Sequence, residues 1–182
     1  MKRTAWPGTS MKRIALPLSM LSLALLAGAA MPALAQDATA ALSATAGNQA
    51  AGTVTFTPAG ERVRVVARVN GLAPGAHGFH IHEKGDCSAP DATSAGGHFN
   101  PTGKAHGDPA GGDHHGGDMP MLVADASGNA LLEVTLDVIT LGSGANDIVG
   151  RAVVVHKDAD DYKTQPTGNS GARVACGVIT KA

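Results

Sequence analysis

The chain has 182 residues, among them 24 glycines, 8 histidines, two cysteines and one tryptophan. Its 14 basic and 15 acidic residues give a net charge of −1. A chain without an excess of basic residues has no electrostatic basis for binding nucleic acid, so that class of partner is excluded.

The first 35 residues have the pattern of a secretory signal peptide. A Lys-Arg pair precedes an apolar run over residues 14–30, and the small-x-small sequence Ala-Leu-Ala at residues 33–35 is typical of a cleavage site. The Met-Lys-Arg start is repeated at Met11, which is an alternative initiator. A membrane anchor is the competing interpretation, but the apolar run is short and contains Pro17.

Cleavage there leaves residues 36–182 as one domain of ordinary size, with no membrane contact expected. Four of the 14 basic residues lie in the first 35, so this domain carries 10 basic and 15 acidic residues, net −5. Its two cysteines, Cys87 and Cys176, favour one disulfide, because an even count in an exported chain is typical of pairing. Two thiols that bind metal are the alternative.

Apolar residues alternate with polar ones along several segments, which predicts half-buried antiparallel strands. Residues 53–57 place Val54 and Phe56 on one face. Residues 61–70 place apolar side chains on one face and arginines on the other, and residues 131–140 repeat the pattern. Turns that contain glycine separate these segments. We therefore expect an all-β sandwich or barrel.

Two long segments, residues 84–118 and 158–172, lack the strand pattern. Between residues 96 and 118 there are eight glycines, two prolines and almost no apolar side chain. Packing cannot stabilise such a loop, but a bound metal would cross-link it, and loops of this length are usually functional. A disordered histidine-rich loop is the alternative, but it does not explain ligand-type residues at intervals of eight, nine and three: His98, His106, His115 and Asp118.

Three further histidines lie on or at the end of predicted strands. His80 and His82 are two residues apart and share one strand face, whereas Ile81 points into apolar packing. His156 ends the apolar run A-V-V-V-H. Three histidines and one aspartate suit tetrahedral zinc, and the remaining imidazoles suit Cu(II). Two four-coordinate sites need eight ligands, and these seven suffice if one histidine serves both metals.

Five motifs in order along the chain resemble those of the copper/zinc superoxide dismutases: H-G-F-H-I-H-E, S-A-G-G-H-F-N-P, H-H-G-G-D, V-V-V-H-K-D-A-D-D and T-G-N-S-G-A-R-V-A-C-G-V-I. The extended H-H-G-G-D-M-P is similar to the bacterial secreted branch, for which the periplasm is the expected compartment. The resemblance implies an eight-stranded antiparallel Greek-key β-barrel with two long functional loops. It also implies an antioxidant enzyme that disproportionates superoxide to dioxygen and hydrogen peroxide, with one copper and one zinc ion per chain.

The resemblance further implies a set of ligands. Copper would be bound by His80, His82, His98 and His156, and zinc by His98, His106, His115 and Asp118. His98 would be the bridging imidazolate, and Arg173 would guide the anion, so these two are the expected catalytic residues. Asp160 would hydrogen-bond a histidine of each set, and Thr167 would line the channel opposite Arg173.

The motifs do not assign a single role to several other positions. His77 matches a structural position of the family. The spacing H-x-G-D to the aspartate favours His115 over its neighbour His114, although a part for His114 in metal binding stays open. The segment of residues 161–167 is shorter than the electrostatic loop of the animal enzymes and lacks its pair of glutamates. Lys104 and Lys163 therefore become candidates for steering substrate. The resemblance implies a homodimer or a monomer.

Two other functions would use the same ligand types. One is a copper-buffering or chaperone module, and the other is a zinc hydrolase. A metal store needs no guiding arginine, and a hydrolase needs an open zinc position and a general base. The four protein ligands of the expected zinc set, together with Arg173, favour the dismutase.

Overall fold

The computed structural model describes residues 1, 2, 4 and 36–182, so the predicted signal peptide lies almost entirely outside the described residues, as does Met11. The fold is that of residues 36–182. No helix among the described residues has the length and apolar character needed to cross a membrane.

Nine strands form the domain: β1 (Ala38–Ala44), β2 (Ala51–Ala59), β3 (Arg62–Asn70), β4 (Gly75–His77), β5 (Phe79–His82), β6 (Leu122–Ala124), β7 (Ala130–Leu136), β8 (Ala152–His156) and β9 (Arg173–Lys181). A single turn of 3-10 helix spans Thr93–Ala95. The strand order is β4-β6-β7-β3-β2-β1-β9-β8-β5. Every neighbouring pair is antiparallel. The predicted all-β Greek-key barrel is confirmed.

The barrel closes through one stretch of chain that supplies both ends of the strand order. β4 and β5 are consecutive pieces of residues 75–82, and they pair with β6 and β8 respectively. Gly78 separates them, because its N–H donates to the Asp158 carbonyl at 2.9 Å and its carbonyl accepts from the His156 N–H at 2.8 Å. The strand count is therefore nine, against the eight expected, although the two pieces follow one another without a turn.

The predicted alternation positions the core. Val54 and Phe56 of β2 are completely buried. In β3 alternate apolar residues face inward and its arginines face outward, with Val66 half-buried on the arginine face. β7 follows the same pattern but ends at Leu136 rather than at residue 140. Burying each large apolar side chain stabilises the fold by about 1.5 to 3 kcal/mol, so this face specifies the register of the strands.

Strand β1, like β6 and β9, lies outside the segments for which the sequence pattern predicts a strand. Its sequence is A-T-A-A-L-S-A, and its buried residues are Ala38, Ala40 and Leu42. Alanine and threonine differ little in hydrophobicity, so the period of two is weak there. Pairing with β2 and β9 on its two sides holds β1 in place.

Two long loops connect strands of the barrel: the first loop (residues 83–121) joins β5 to β6, and the second loop (residues 157–172) joins β8 to β9. The expected disulfide between Cys87 and Cys176 is present, with the two Cα atoms 5.8 Å apart. It joins the first loop to β9. Under it lies a small apolar cluster that includes Ala92 of the loop and Val154 of β8.

Candidate metal centre

Strand β5 is bordered by β8 on one edge and by the first loop on the other. On the loop side, Ile81 donates its N–H to the Gly117 carbonyl and accepts from the Phe99 N–H, both at 2.8 Å. These bonds act as a short ladder in a segment that has no strand of its own. They set two loop residues opposite two strand residues: His98 opposite His82, and Asp118 opposite His80.

Four buried histidines form the first group. Each offers one ring nitrogen, and these atoms all lie within 4.8 Å of one another: His80, His82, His98 and His156. Nδ1 of His80 and Nε2 of His98 are buried without any hydrogen-bond partner. Nε2 of His82 faces Nε2 of His156 at 3.3 Å. Buried, unpaired nitrogens that converge on one point fit a metal cation, and a set of imidazoles suits copper.

The other ring nitrogens of this group are held by outer partners. Three contacts do this: His80 Nε2 with Asp160 Oδ2 at 2.6 Å, His82 Nδ1 with the Gly96 carbonyl at 2.9 Å, and His156 Nδ1 with the Gly171 carbonyl at 3.3 Å. In each contact the imidazole N–H donates. The tautomer is thereby fixed, and the lone pair of the opposite nitrogen points inward.

Three histidines and one carboxylate form the second group: His98, His106, His115 and Asp118. The Nδ1 atoms of His98 and His106 each lie 3.0 Å from Asp118 Oδ1. Nδ1 of His115 lies 3.5 Å from the same oxygen and 3.4 Å from His98 Nδ1. Three imidazoles and one carboxylate are a ligand set that zinc accepts in tetrahedral sites. His98 belongs to both groups, through Nδ1 here and through Nε2 in the first.

Asp160 of the second loop links the two groups. Its carboxylate accepts from His80 Nε2 at 2.6 Å and from His106 Nε2 at 2.9 Å. The N–H of Tyr162 also donates to it, at 2.7 Å. Gly168 packs against this junction with φ +66°, and a Cβ atom there would lie 2.6 Å from His106 Nε2 and closer still to the carboxylate. Only glycine fits that position.

Burial keeps the imidazoles of the first group neutral. It lowers the pKa of His98 to about 4, despite the opposing hydrogen bond with Asp118. Burial, and then the nearby His80, lowers the pKa of His156 to about 3. Burial opposes ionisation of Asp118, but hydrogen bonds from His115 and His98 lower its pKa further than burial raises it. Neutral imidazoles and an ionised carboxylate are the forms that bind metal.

Arg173 begins β9 directly opposite His156 in the register of β8 and β9. Its two terminal nitrogens donate to the carbonyls of Ala92 and Gly96, both at 2.6 Å. The guanidinium is therefore fixed by the first loop, next to the end of the strand that carries one of the four histidines. Thr167 lies half-buried in the second loop, and its carbonyl accepts the Ser170 hydroxyl.

Two histidines lie outside both groups. His77 has its ring nitrogens 2.9 Å from the His156 carbonyl oxygen and 2.8 Å from that of Ala73. His114 Nδ1–H donates to the carbonyl of His115 at 2.8 Å. Of the two candidate steering lysines, Lys104 is paired with Asp113 at 3.3 Å, and Lys163 is exposed.

Two further contacts at the centre are not indicated by any sequence pattern. The carboxamide of Gln165 hydrogen-bonds the main chain of His106, and the hydroxyl of Tyr162 accepts from the Met121 N–H at 3.0 Å. Neither residue type carries a metal-binding signature. Only the folded arrangement of the two loops reveals these contacts.

An antiparallel β-barrel that buries two four-ligand groups, with one histidine common to both, defines a dinuclear metalloprotein. The family model described as copper/zinc superoxide dismutase matches residues 50–179. The chain belongs to the copper/zinc superoxide dismutase family.

Individual relatives agree with this assignment. "Superoxide dismutase [Cu-Zn] 2" of Aquifex aeolicus (strain VF5) is 45% identical over 124 residues, which are 64% of this chain and 71% of the relative. "Extracellular superoxide dismutase [Cu-Zn]" of Caenorhabditis elegans is 42% identical over 134 residues, which are 70% of this chain and 60% of the relative. A solved structure, "Crystal Structure Analysis of the clock protein EA4", is similar with a TM-score of 0.74 and 42% identity, covering 81% of this chain and 96% of that one.

Proposed function

We propose that this chain is an exported superoxide dismutase that converts two superoxide anions and two protons into dioxygen and hydrogen peroxide. His98 is the observation that carries the proposal. Its Nδ1 lies in the group with the carboxylate, and its Nε2 is buried without a partner among the other three imidazoles. A histidine with one nitrogen in each group fits a bridge between copper and zinc.

The residues divide into two ligand sets on this proposal. Copper is held by His80, His82, His98 and His156, and zinc by His98, His106, His115 and Asp118. Copper, when bound, supplies the redox chemistry by cycling between Cu(II) and Cu(I), whereas zinc is redox-inert. Nε2 of His98 can bind either copper or a proton, so only when it is free of copper would it hold a proton and donate it to the reduced substrate, while Nδ1 would stay with the zinc set. Asp160 orients one ligand ring of each set.

Arg173 is the second catalytic residue of the proposal. The domain from residue 36 carries net charge −5, so its overall field opposes an anionic substrate. A fixed positive charge at the channel focuses the anion locally, and such focusing raises association rates by roughly 10- to 1000-fold. The two hydrogen bonds from Arg173 to loop carbonyls hold the guanidinium in one place. Thr167 is the proposed opposite wall of the channel.

Three observations support an exported protein. A disulfide is typical of oxidising compartments, and Cys87 pairs with Cys176. One relative carries the word "Extracellular" in its name. With the predicted signal peptide of residues 1–35, these support export, and we propose the periplasm as the destination.

The test is the metal content and the activity of protein produced with both metals. We expect one copper and one zinc per chain, and disproportionation of superoxide by the loaded protein. A single metal per chain would refute the two-site proposal. Two metals without dismutase activity would favour a copper-buffering module instead.

Arg173→Ala sharpens this test, because it removes the guiding charge without touching a ligand. We expect metal content to stay intact and the rate to fall about tenfold or more, with a larger fall in Arg173→Glu. Rising ionic strength should slow the wild type, and this dependence should weaken or invert in the glutamate variant. Arg62→Ala, which removes the same charge from the exposed face of β3, is the matched control and should keep the wild-type rate. Unchanged rates in both Arg173 variants would contradict a steering role.

A further inference from the structure

The second loop contacts the main chain of one expected zinc ligand through the side chain of Gln165. Its Oε1 accepts from the N–H of His106 at 2.9 Å, and its Nε2 donates to the carbonyl of the same residue at 2.9 Å. Nε2 also donates to the Lys163 carbonyl at 3.2 Å. One carboxamide thus pairs with both main-chain polar groups of His106, much as a neighbouring strand would.

Neighbouring residues have hydrogen bonds of their own, Lys104 with Asn100 and Gly107 with Asp118, but the main chain of His106 itself is held by Gln165. Within residues 36–182, no other hydrogen bond reaches the main-chain N–H or carbonyl of His106. Lys104 and Ala105, which precede it, are exposed and do not anchor it by packing. Its ring is held separately, by the 2.9 Å contact of Nε2 with Asp160. Backbone and ring are therefore fixed from the same loop by two different side chains.

We propose that Gln165 is a positioning residue of the zinc site. It holds the main chain of His106 while Asp160 orients the ring, so that Nδ1 stays aimed at the other zinc ligands. The inference rests on the proposed function, in which His106 binds zinc. Gln165 acts through His106 and does not touch the metal.

Two substitutions separate the parts of this contact. Gln165→Met keeps the length of the side chain and removes both hydrogen bonds. Gln165→Glu keeps the acceptor for the His106 N–H but turns a carboxylate oxygen toward the carbonyls of His106 and Lys163. Loss of groups that orient a ligand typically weakens metal binding about 10- to 100-fold. Gln165 is exposed, so water replaces part of what is lost, and we expect about three- to tenfold for the methionine variant and more for the glutamate variant.

The measurement is the rate at which copper- and zinc-loaded protein releases zinc to a chromophoric chelator, with the copper content followed in parallel. Gln165→Met should release zinc about three- to tenfold faster than wild type and retain its copper. Co²⁺ placed in the zinc set should show an altered visible absorption spectrum in both variants, which general loosening of the barrel would not produce.

Thr164→Val is the matched control in the same loop. The Thr164 hydroxyl donates to Asp161 Oδ2 at 2.6 Å and does not contact His106, so this variant should release zinc at the wild-type rate. A wild-type rate in Gln165→Met would overturn the inference, and so would equal acceleration in Thr164→Val, which would point to loop stiffness. Wild-type protein that binds no zinc would overturn the zinc assignment and this inference together, and it is recognised before any variant is compared.

Discussion

The barrel and the two loops are stabilised by different interactions. In the barrel, alternate residues of each strand face a common apolar core, in which Phe56 and Val65 are fully buried. The first loop has no comparable run of apolar residues between residues 96 and 118. It is held by a disulfide, by hydrogen bonds to β5 and the second loop, and by buried imidazoles around Asp118.

Because the barrel and the loops are stabilised differently, different treatments should destabilise them. Apolar burial cannot be removed without changing the sequence, whereas a disulfide can be reduced, a metal chelated and a histidine protonated. We therefore expect chemical treatments to loosen the loops first and core substitutions to destabilise the barrel first.

Removing the disulfide should have the largest effect on stability. Cys87 and Cys176 are 89 residues apart, and closing a loop of this size restricts the unfolded chain enough to stabilise the fold by about 4 to 5 kcal/mol. We expect the double variant Cys87→Ser, Cys176→Ser to lose stability of this order in denaturant unfolding. Hydrogen exchange should show faster opening in the first loop before the barrel strands. Unchanged unfolding midpoints would contradict this account.

Phe56→Ala tests the barrel in the same way. Phe56 is completely buried in β2, and truncating a buried phenylalanine typically destabilises a protein by about 3 to 5 kcal/mol. At temperatures where the variant remains folded, it should still bind its metals, because Phe56 belongs to the apolar core and to neither ligand group. Loss of metal from folded variant protein would show that core and loops are more tightly coupled than we infer.

The two regions also differ in how far they can be predicted from sequence. Strands β2 and β3 are predictable because Val54, Phe56 and their neighbours alternate sharply with polar residues. β1 is not, because its buried residues include Ala38 and Ala40, which contrast little with the residues between them. At the metal centre, histidines and aspartates are recognisable by type and spacing. Gln165 is not, because its function depends on a contact across 59 residues of chain that no local pattern encodes.

Acid should destabilise the metal-free protein through its buried imidazoles. The folded-state pKa values of His98 and His156, about 4 and about 3, lie below the ordinary histidine value of 6.5, so the unfolded state binds more protons between these limits. Stability is therefore full above pH 6.5 and is lost as the pH falls toward the folded-state values, by about 1.4 kcal/mol per pH unit for each extra proton. Denaturant unfolding at several pH values measures this slope.

Metal-loaded protein is the control for that experiment. Bound metals compete with protons for the same nitrogens, so the loss of stability should shift to lower pH when both metals are present. The lowered pKa values of Asp118 and Asp160 also make the folded protein less stable in acid, because protonation removes the interactions that stabilise these ionised carboxylates. A metal-free protein with pH-independent stability between pH 7 and 4.5 would contradict the burial argument.

The smallest effect is expected on the outer face of the barrel. Arg64 of β3 contacts Glu133 of β7 at 2.7 Å, but the two side chains are 47% and 58% exposed. Water screens such a pair and side-chain entropy opposes it, so a double-mutant cycle with Arg64→Ala and Glu133→Ala should give a coupling energy of about 0.2 to 1 kcal/mol. High salt should reduce that coupling further. A coupling of several kcal/mol, insensitive to salt, would mean that the outer face stabilises the barrel by more than the apolar interior alone explains.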